Sequence, residues 1–286
     1  MICLNTPTVV IGSFLLLNLL VGIYFSRKKT TFREYAVGNK QFSTATLVVT
    51  VLATLYSGGG MLRNLECIHD LGLWWIVIMV LPSFGFWVIS RLSLRMDSFM
   101  QHLSIADTIG TIYGKYPRII TALVGVCGGI ITITTQITAI SKAISMCISL
   151  DNSHIILLFA TFLIIFYSAY GGVRAVTYTD VLQFITFIII IPLLTWFMFV
   201  ETGNPVREIF PILHKHNKFQ FSSVFSFNTQ FTSVLLLILS CTVSYISPHI
   251  MHRVYMASGT TQARKVFSYS FFFKIIIGSF IILSAL

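Results

Sequence analysis

Apolar stretches long enough to cross a lipid bilayer recur along almost the whole of this 286-residue chain. About 20 residues rising 1.5 Å each are needed to traverse a hydrocarbon core of roughly 30 Å. Residues 8–26, 43–62, 72–89, 119–150, 154–170, 178–200, 231–251 and 266–286 each come near that length. The stretch 119–150 is long enough to tilt, to kink or to form two pieces. Charged residues make up only 10% of the chain, against about 25% in soluble domains. The expected class is an all-α polytopic membrane protein with about eight transmembrane helices.

The formal charge is +10, and its placement decides what it means. Arg27, Lys28, Lys29, Arg33, Lys40, Arg91, Arg95, Lys115, Arg118, Arg174, Arg253, Arg264 and Lys265 fall between apolar stretches on one side. Arg63, Arg207, Lys215 and Lys218 fall on the other. The positive-inside bias puts the larger set in the cytoplasm and the N-terminus outside the cell membrane. The excess therefore reads as orientation in a bilayer, not as a nucleic-acid footprint. The first stretch has no positive residues ahead of it and Arg27-Lys28-Lys29 directly behind, which fits a retained helix and not a signal peptide. Cys3, Cys67, Cys127, Cys147 and Cys241 are scattered, with no CxxC pair, so neither a disulfide framework nor a zinc site is indicated. No serine–histidine, P-loop or paired-carboxylate pattern supports an enzyme.

Several residues interrupt the apolar runs. Ser57-Gly58-Gly59-Gly60 lies within the second stretch, and each glycine costs roughly 1 kcal/mol relative to alanine in a helix. The run fits either a close helix crossing or a discontinuous helix of the kind that holds substrates and cations at the midplane. Arg63 and Glu66 share a helix face and suit an interfacial ion pair. Gly171-Gly172 reads as a cytoplasmic turn between two spans. Asp180, beyond it, is either a helix cap or a functional charge within a span. Lys142 and Lys274 sit in apolar runs, from which long side chains can snorkel to the interface. Pro248 frees a backbone carbonyl one turn earlier, making a kink or a ligand. His249 and His252 read as interfacial residues. The polar segment 201–230 reads as an external loop.

Residues 167–183, YSAYGGVRAVTYTDVLQ, resemble the signature of the sodium:solute symporter family. YFSRKKTTFREYAVGNKQFS looks like that family's first cytoplasmic loop, and ATLYSGGGMLRNLECIHDLGLWW like its broken second helix. SPHIMHRVYMASGTTQARK is similar to its seventh helix and following loop, most of all in the sodium/proline symporter branch. The resemblance implies a LeuT-like inverted-repeat fold with one leading helix (residues 1–30) and a first five-helix repeat (43–200). After the external loop, residues 231–286 would supply the first two helices of an incomplete second repeat. It implies sodium-coupled symport of a small organic solute, an amino acid such as proline or a similar metabolite. Sodium is then the coupling ion, the bilayer and the solute are the partners, and no cofactor is expected. Ala53 and Tyr56 fall where the family offers backbone carbonyls to sodium, with Ser57 beside them, and Asp180 matches an aspartate of the sodium route. Gly58, Ser240, Ser244 and Pro248 are the candidate substrate contacts. Lys274 matches a lysine of the sugar-transporting branch.

The departures from the pattern are as informative. Leu55 stands where the proline branch has an aspartate, and Ser240 and Ser244 stand where it has a tryptophan and a tyrosine. Gly60 stands where the sugar branch has a glutamine, and Arg63-Asn64-Leu65-Glu66 replaces a small-residue stretch. The family's later sodium-ligating hydroxyls would lie beyond Leu286, so a truncated, inactive form is expected unless a separately encoded C-terminal half completes it. Alternative expectations are a symporter-like sensor domain of a histidine kinase, or a vestigial fragment.

Overall fold

The computed structural model describes residues 6–26, 31–56, 58–147, 153–202, 211, 216–220, 232, 235–236, 238–240 and 247–285. Ser57 and Ser244 lie outside the described residues, as do about half of the stretch 231–251 and the side chain of Lys142. The described chain is helical. Five of its stretches are long and apolar enough to cross a membrane, and one bent pair brings the number to as many as six.

Helix α1 (Thr6–Ser26) is followed by a short helix α2 (Phe32–Val37). The Thr31 hydroxyl caps α2 by accepting the Glu34 N–H at 3.2 Å, and Gly38, left-handed at φ 67°, ends it. Helix α3 (Thr44–Leu55) starts in the same way, on the Ser43 hydroxyl, and stops at Tyr56, whose backbone is extended. Helix α4 (Gly58–Leu71) then departs, the axes of Thr44–Leu55 and Gly60–Leu71 diverging by 58°. The triple glycine thus breaks the second span. Arg63 and Glu66, on α4, are both exposed and do not pair with each other, contrary to the expectation from their spacing.

The third span, Leu73–Ser93, joins α5 (Leu73–Val80) to α6 (Phe84–Ser93) through a 3-10 turn that contains Pro82. The amphipathic α7 (Ile105–Tyr113) precedes α8 (Lys115–Cys147), a single unbroken helix where one or two pieces were expected. Helix α9 (Ser153–Thr202) carries two expected spans in series, broken at Gly172. Gly172 has φ 61° and ψ −161°, and a Cβ there would lie 2.6 Å from the Tyr35 ring and 2.8 Å from its carbonyl oxygen. Glycine is the residue that fits both demands. The last elements are α10 (Pro248–Met256) and α11 (Thr260–Ala285). Pro248 is at the first turn of α10, so it starts a helix and does not kink one.

The core forms where α3 packs against α9, α10 and α11. Leu47, Val48, Val51 and Leu52 of α3 meet Val254 and Tyr255 of α10 and a stripe on α11. That stripe, Ala263, Val266, Phe267, Ser270, Lys274, Ile277 and Ile281, repeats at three and four residues and so forms one buried face. In lipid such contacts gain from van der Waals packing more than from water release. Helix α1 lies along α9, with Phe25 stacked on Tyr178 at 3.7 Å and the Gln183 amide 3.5 Å from the Asn18 carbonyl oxygen. Helix α8 touches α7 and α9, and none of its residues from Lys115 to Ser141 is buried.

Candidate functional site

The break after α3 is the natural place to look for polar chemistry, because a helix end leaves carbonyls without intrahelical donors. Tyr56 donates its N–H to Leu52 O at 3.1 Å, closing the helix, and its ring reaches sideways. The Tyr56 hydroxyl donates to the Lys274 carbonyl on α11 at 3.0 Å. Ala53, three residues earlier, is partly buried against the core. The Lys274 side chain, one of the buried residues, donates from Nζ to Ser83 Oγ at 2.6 Å and to Met79 O at 3.4 Å. It therefore terminates on the 3-10 turn of the third span and does not snorkel. The reason is reach, since Lys274 is about 21 Å from the start of α11 and about 16 Å from its end.

A second polar cluster lies less than two turns back along α3. Asp180, eight residues past the α9 break, does not cap a helix. Its Oδ2 accepts a hydrogen bond from the Thr50 hydroxyl of α3 and pairs with Arg253 Nη2 of α10 at 3.2 Å. The same Nη2 donates to Thr54 Oγ1 at 3.2 Å, and Thr54 donates back to Thr50 O at 2.7 Å. The Arg253 and Asp180 side chains are 9% and 14% exposed, so each charge depends on the other. Helix α3 is therefore joined to α9 and α10 by one ionic cluster. Thr50 and Tyr56 lie six residues apart on α3, about 9 Å along the axis.

The glycine break in α9 is held from below. The Tyr35 hydroxyl of α2 donates to Ala169 O at 3.0 Å, on one side of Gly172. On the other side, Arg174 pairs with Glu34 at 3.0 Å and reaches Gln41 Oε1 at 3.4 Å. Helix α2 and Gln41 thus fix the turn from which Asp180 is presented. On the opposite flank of the ion pair is a cavity of about 510 Å³, lined among others by Ser104, Gly125, Pro248, His249, His252 and Arg253. Its walls are mostly apolar, and Pro248 packs within 3.6 Å of the space a Gly125 side chain would take.

Of the residues singled out in the sequence, Ala53 and Tyr56 fall at the break, Gly58 opens α4, and Asp180 reaches α3 just below. Pro248 lines the cavity, and Ser240 is exposed on a short described stretch. Three participants were not singled out. Thr50 and Thr54 look like ordinary threonines of an apolar helix, and Arg253 was counted among the cytoplasmic charges. A signal was present: a carboxylate inside a span calls for a counter-charge, and Arg253 is the first basic residue after the seventh stretch.

The comparisons with known proteins agree with this architecture. The model of the sodium:solute symporter family matches residues 35–286. A high-affinity choline transporter of Drosophila melanogaster is 26% identical over 182 residues, 59% of this chain and 28% of that protein. The solved structure of a Na+-coupled sialic acid symporter, substrate-bound and outward-open, superimposes with a TM-score of 0.76 at 17% identity. That match covers 98% of this chain and 60% of the other, and it shows a LeuT-like helical fold. The chain thus spans less than two thirds of the length of either relative. The family is one of transporters and not of enzymes, and its members are multi-pass membrane proteins. With the family pattern running from α2 to the last helix, this chain belongs to the sodium:solute symporter family.

Proposed function

We propose that this chain supplies the cation-binding part of a sodium-coupled symporter for a small organic solute, set in the cell membrane with its N-terminus outside. The supporting observation is the helix break at Tyr56 with an acidic side chain from α9 joined to the same helix six residues back, at Thr50. Sodium favours hard oxygen ligands, and an interrupted helix offers them as backbone carbonyls. In this reading Ala53 and Tyr56 give carbonyl oxygens, Ser57 lies beside them, and Asp180 gives the negative charge on the route. Gly58, Ser240, Ser244 and Pro248 contact the solute. Residues 43–200 form the first repeat and 231–286 the start of the second, which a separately encoded half would complete.

The solute is a small polar metabolite. Choline, proline and sialic acid are the three probes to try, the first and last because the two relatives handle them. Proteoliposomes carrying the chain with its completing helices should take up one labelled probe only under an inward sodium gradient. Asp180→Asn should cut that uptake at least about tenfold, the loss expected from removing one charged ligand of a cation. Uptake that ignores sodium, or an Asp180→Asn variant that keeps full uptake, contradicts the reading.

A further inference from the structure

Arg253 is a poorly satisfied buried cation. A guanidinium carries five N–H donors on three nitrogens, yet among the described residues only Nη2 meets oxygen acceptors, Thr54 Oγ1 and Asp180 Oδ2. Nη1 faces the Met256 sulfur at 3.4 Å, a weak acceptor. Nε is buried with no partner among the described residues. The pairing with Asp180 uses a single carboxylate oxygen, which also takes the Thr50 hydroxyl, so the two-bond fork that makes arginine–carboxylate pairs strong is missing. Asp180 Oδ1 takes neither bond. Arg253 also lines the cavity of about 510 Å³ beside it, which has room for a guanidinium and its water.

We propose that Arg253 is a displaceable internal counter-ion, which a sodium ion arriving at Asp180 replaces and drives toward that cavity. The inference rests on the sodium reading of Asp180 given above. The charge arithmetic forces the choice. One carboxylate neutralises one cation, and holding both sodium and guanidinium would leave a net positive charge in a low-dielectric setting, where an uncompensated charge is costly. The incompletely bonded partner is the one that leaves. Since α10 carries Arg253 and α3 carries Thr50 and Thr54, the exchange would unlink those helices, so that cation occupancy is converted into freedom of α10 relative to α3.

The test is arginine modification by phenylglyoxal on the chain with its completing helices in lipid nanodiscs, with each adduct located by peptide mass mapping. Saturating sodium, compared with potassium chloride at equal ionic strength, should speed modification of Arg253 at least about fivefold, as expected for a shift in population from paired to released. The exposed Arg95 is the internal control and should not respond. In Asp180→Asn, Arg253 should react fast in both salts. In Arg253→Gln, radiolabelled sodium should bind about tenfold tighter, because the competing state is removed. If sodium binds the unaltered chain while Arg253 reactivity is unchanged or reduced, the exchange is refuted and the sodium reading survives. If no sodium binds at all, both fall. Sodium binding of equal or lower affinity in Arg253→Gln also refutes the exchange.

Discussion

Threonines on α3 and on α8 sit at membrane depth in the same kind of helix and behave differently. On α8, Thr132, Thr134 and Thr138 are exposed, and each donates its hydroxyl to the carbonyl four residues back at 2.9 Å. They satisfy themselves inside their own helix and bind nothing else. On α3, Thr54 makes the same backward bond, but its oxygen also accepts from Arg253, and Thr50 turns its hydroxyl across to Asp180. The residue type is shared, and what separates the two helices is a charge within reach. Hydroxyls in a span are inexpensive when self-bonded, and they become structural when an ion needs a partner.

The comparison makes graded predictions, each read as unfolding free energy in detergent or nanodiscs. Asp180→Leu removes the anion and strands Arg253, which should cost about 3–5 kcal/mol. Adding Arg253→Met to that variant should restore most of the loss, and a double variant as unstable as the single one contradicts the assigned pairing. Thr50→Val deletes one hydrogen bond to a charged group and should cost about 1.5–3 kcal/mol. Thr134→Val on α8 should stay within about 0.5 kcal/mol of the parent. Equal losses at Thr50 and Thr134 would dissolve the contrast between the two helices.

Much of this architecture is legible in the residues alone. Five or six of the eight expected spans follow from length and apolarity, the broken second span from three successive glycines, and the α9 break from Gly171-Gly172. What one dimension cannot carry is which way a charge turns. Arg253 lies among residues that read as a cytoplasmic loop, yet Pro248 restarts a helix five residues earlier and points the guanidinium back into the core. Asp180 reads equally well as a cap until α3 is seen to pass beside it. Lys274 invites a snorkelling reading because its run is apolar on both sides. Only the 26-residue length of α11 puts both interfaces out of reach and leaves the third-span turn as its partner. Arg63 and Glu66 have pairing geometry and no burial to enforce it, so each stays with solvent.

The hold of α2 on the α9 break has a consequence for how the molecule is assembled during synthesis. The Tyr35 hydroxyl and the Ala169 carbonyl that it grips are 134 residues apart in the chain. At ribosomal rates of about 5–20 residues per second, the partner strand of that grip emerges roughly 7–27 s after Tyr35 does. Throughout that interval α1 is held in the bilayer only by its own hydrophobicity and by the basic residues behind it. The leading helix is therefore inserted first and docked late. The turn at Gly172 acts as the latch that ends its independence.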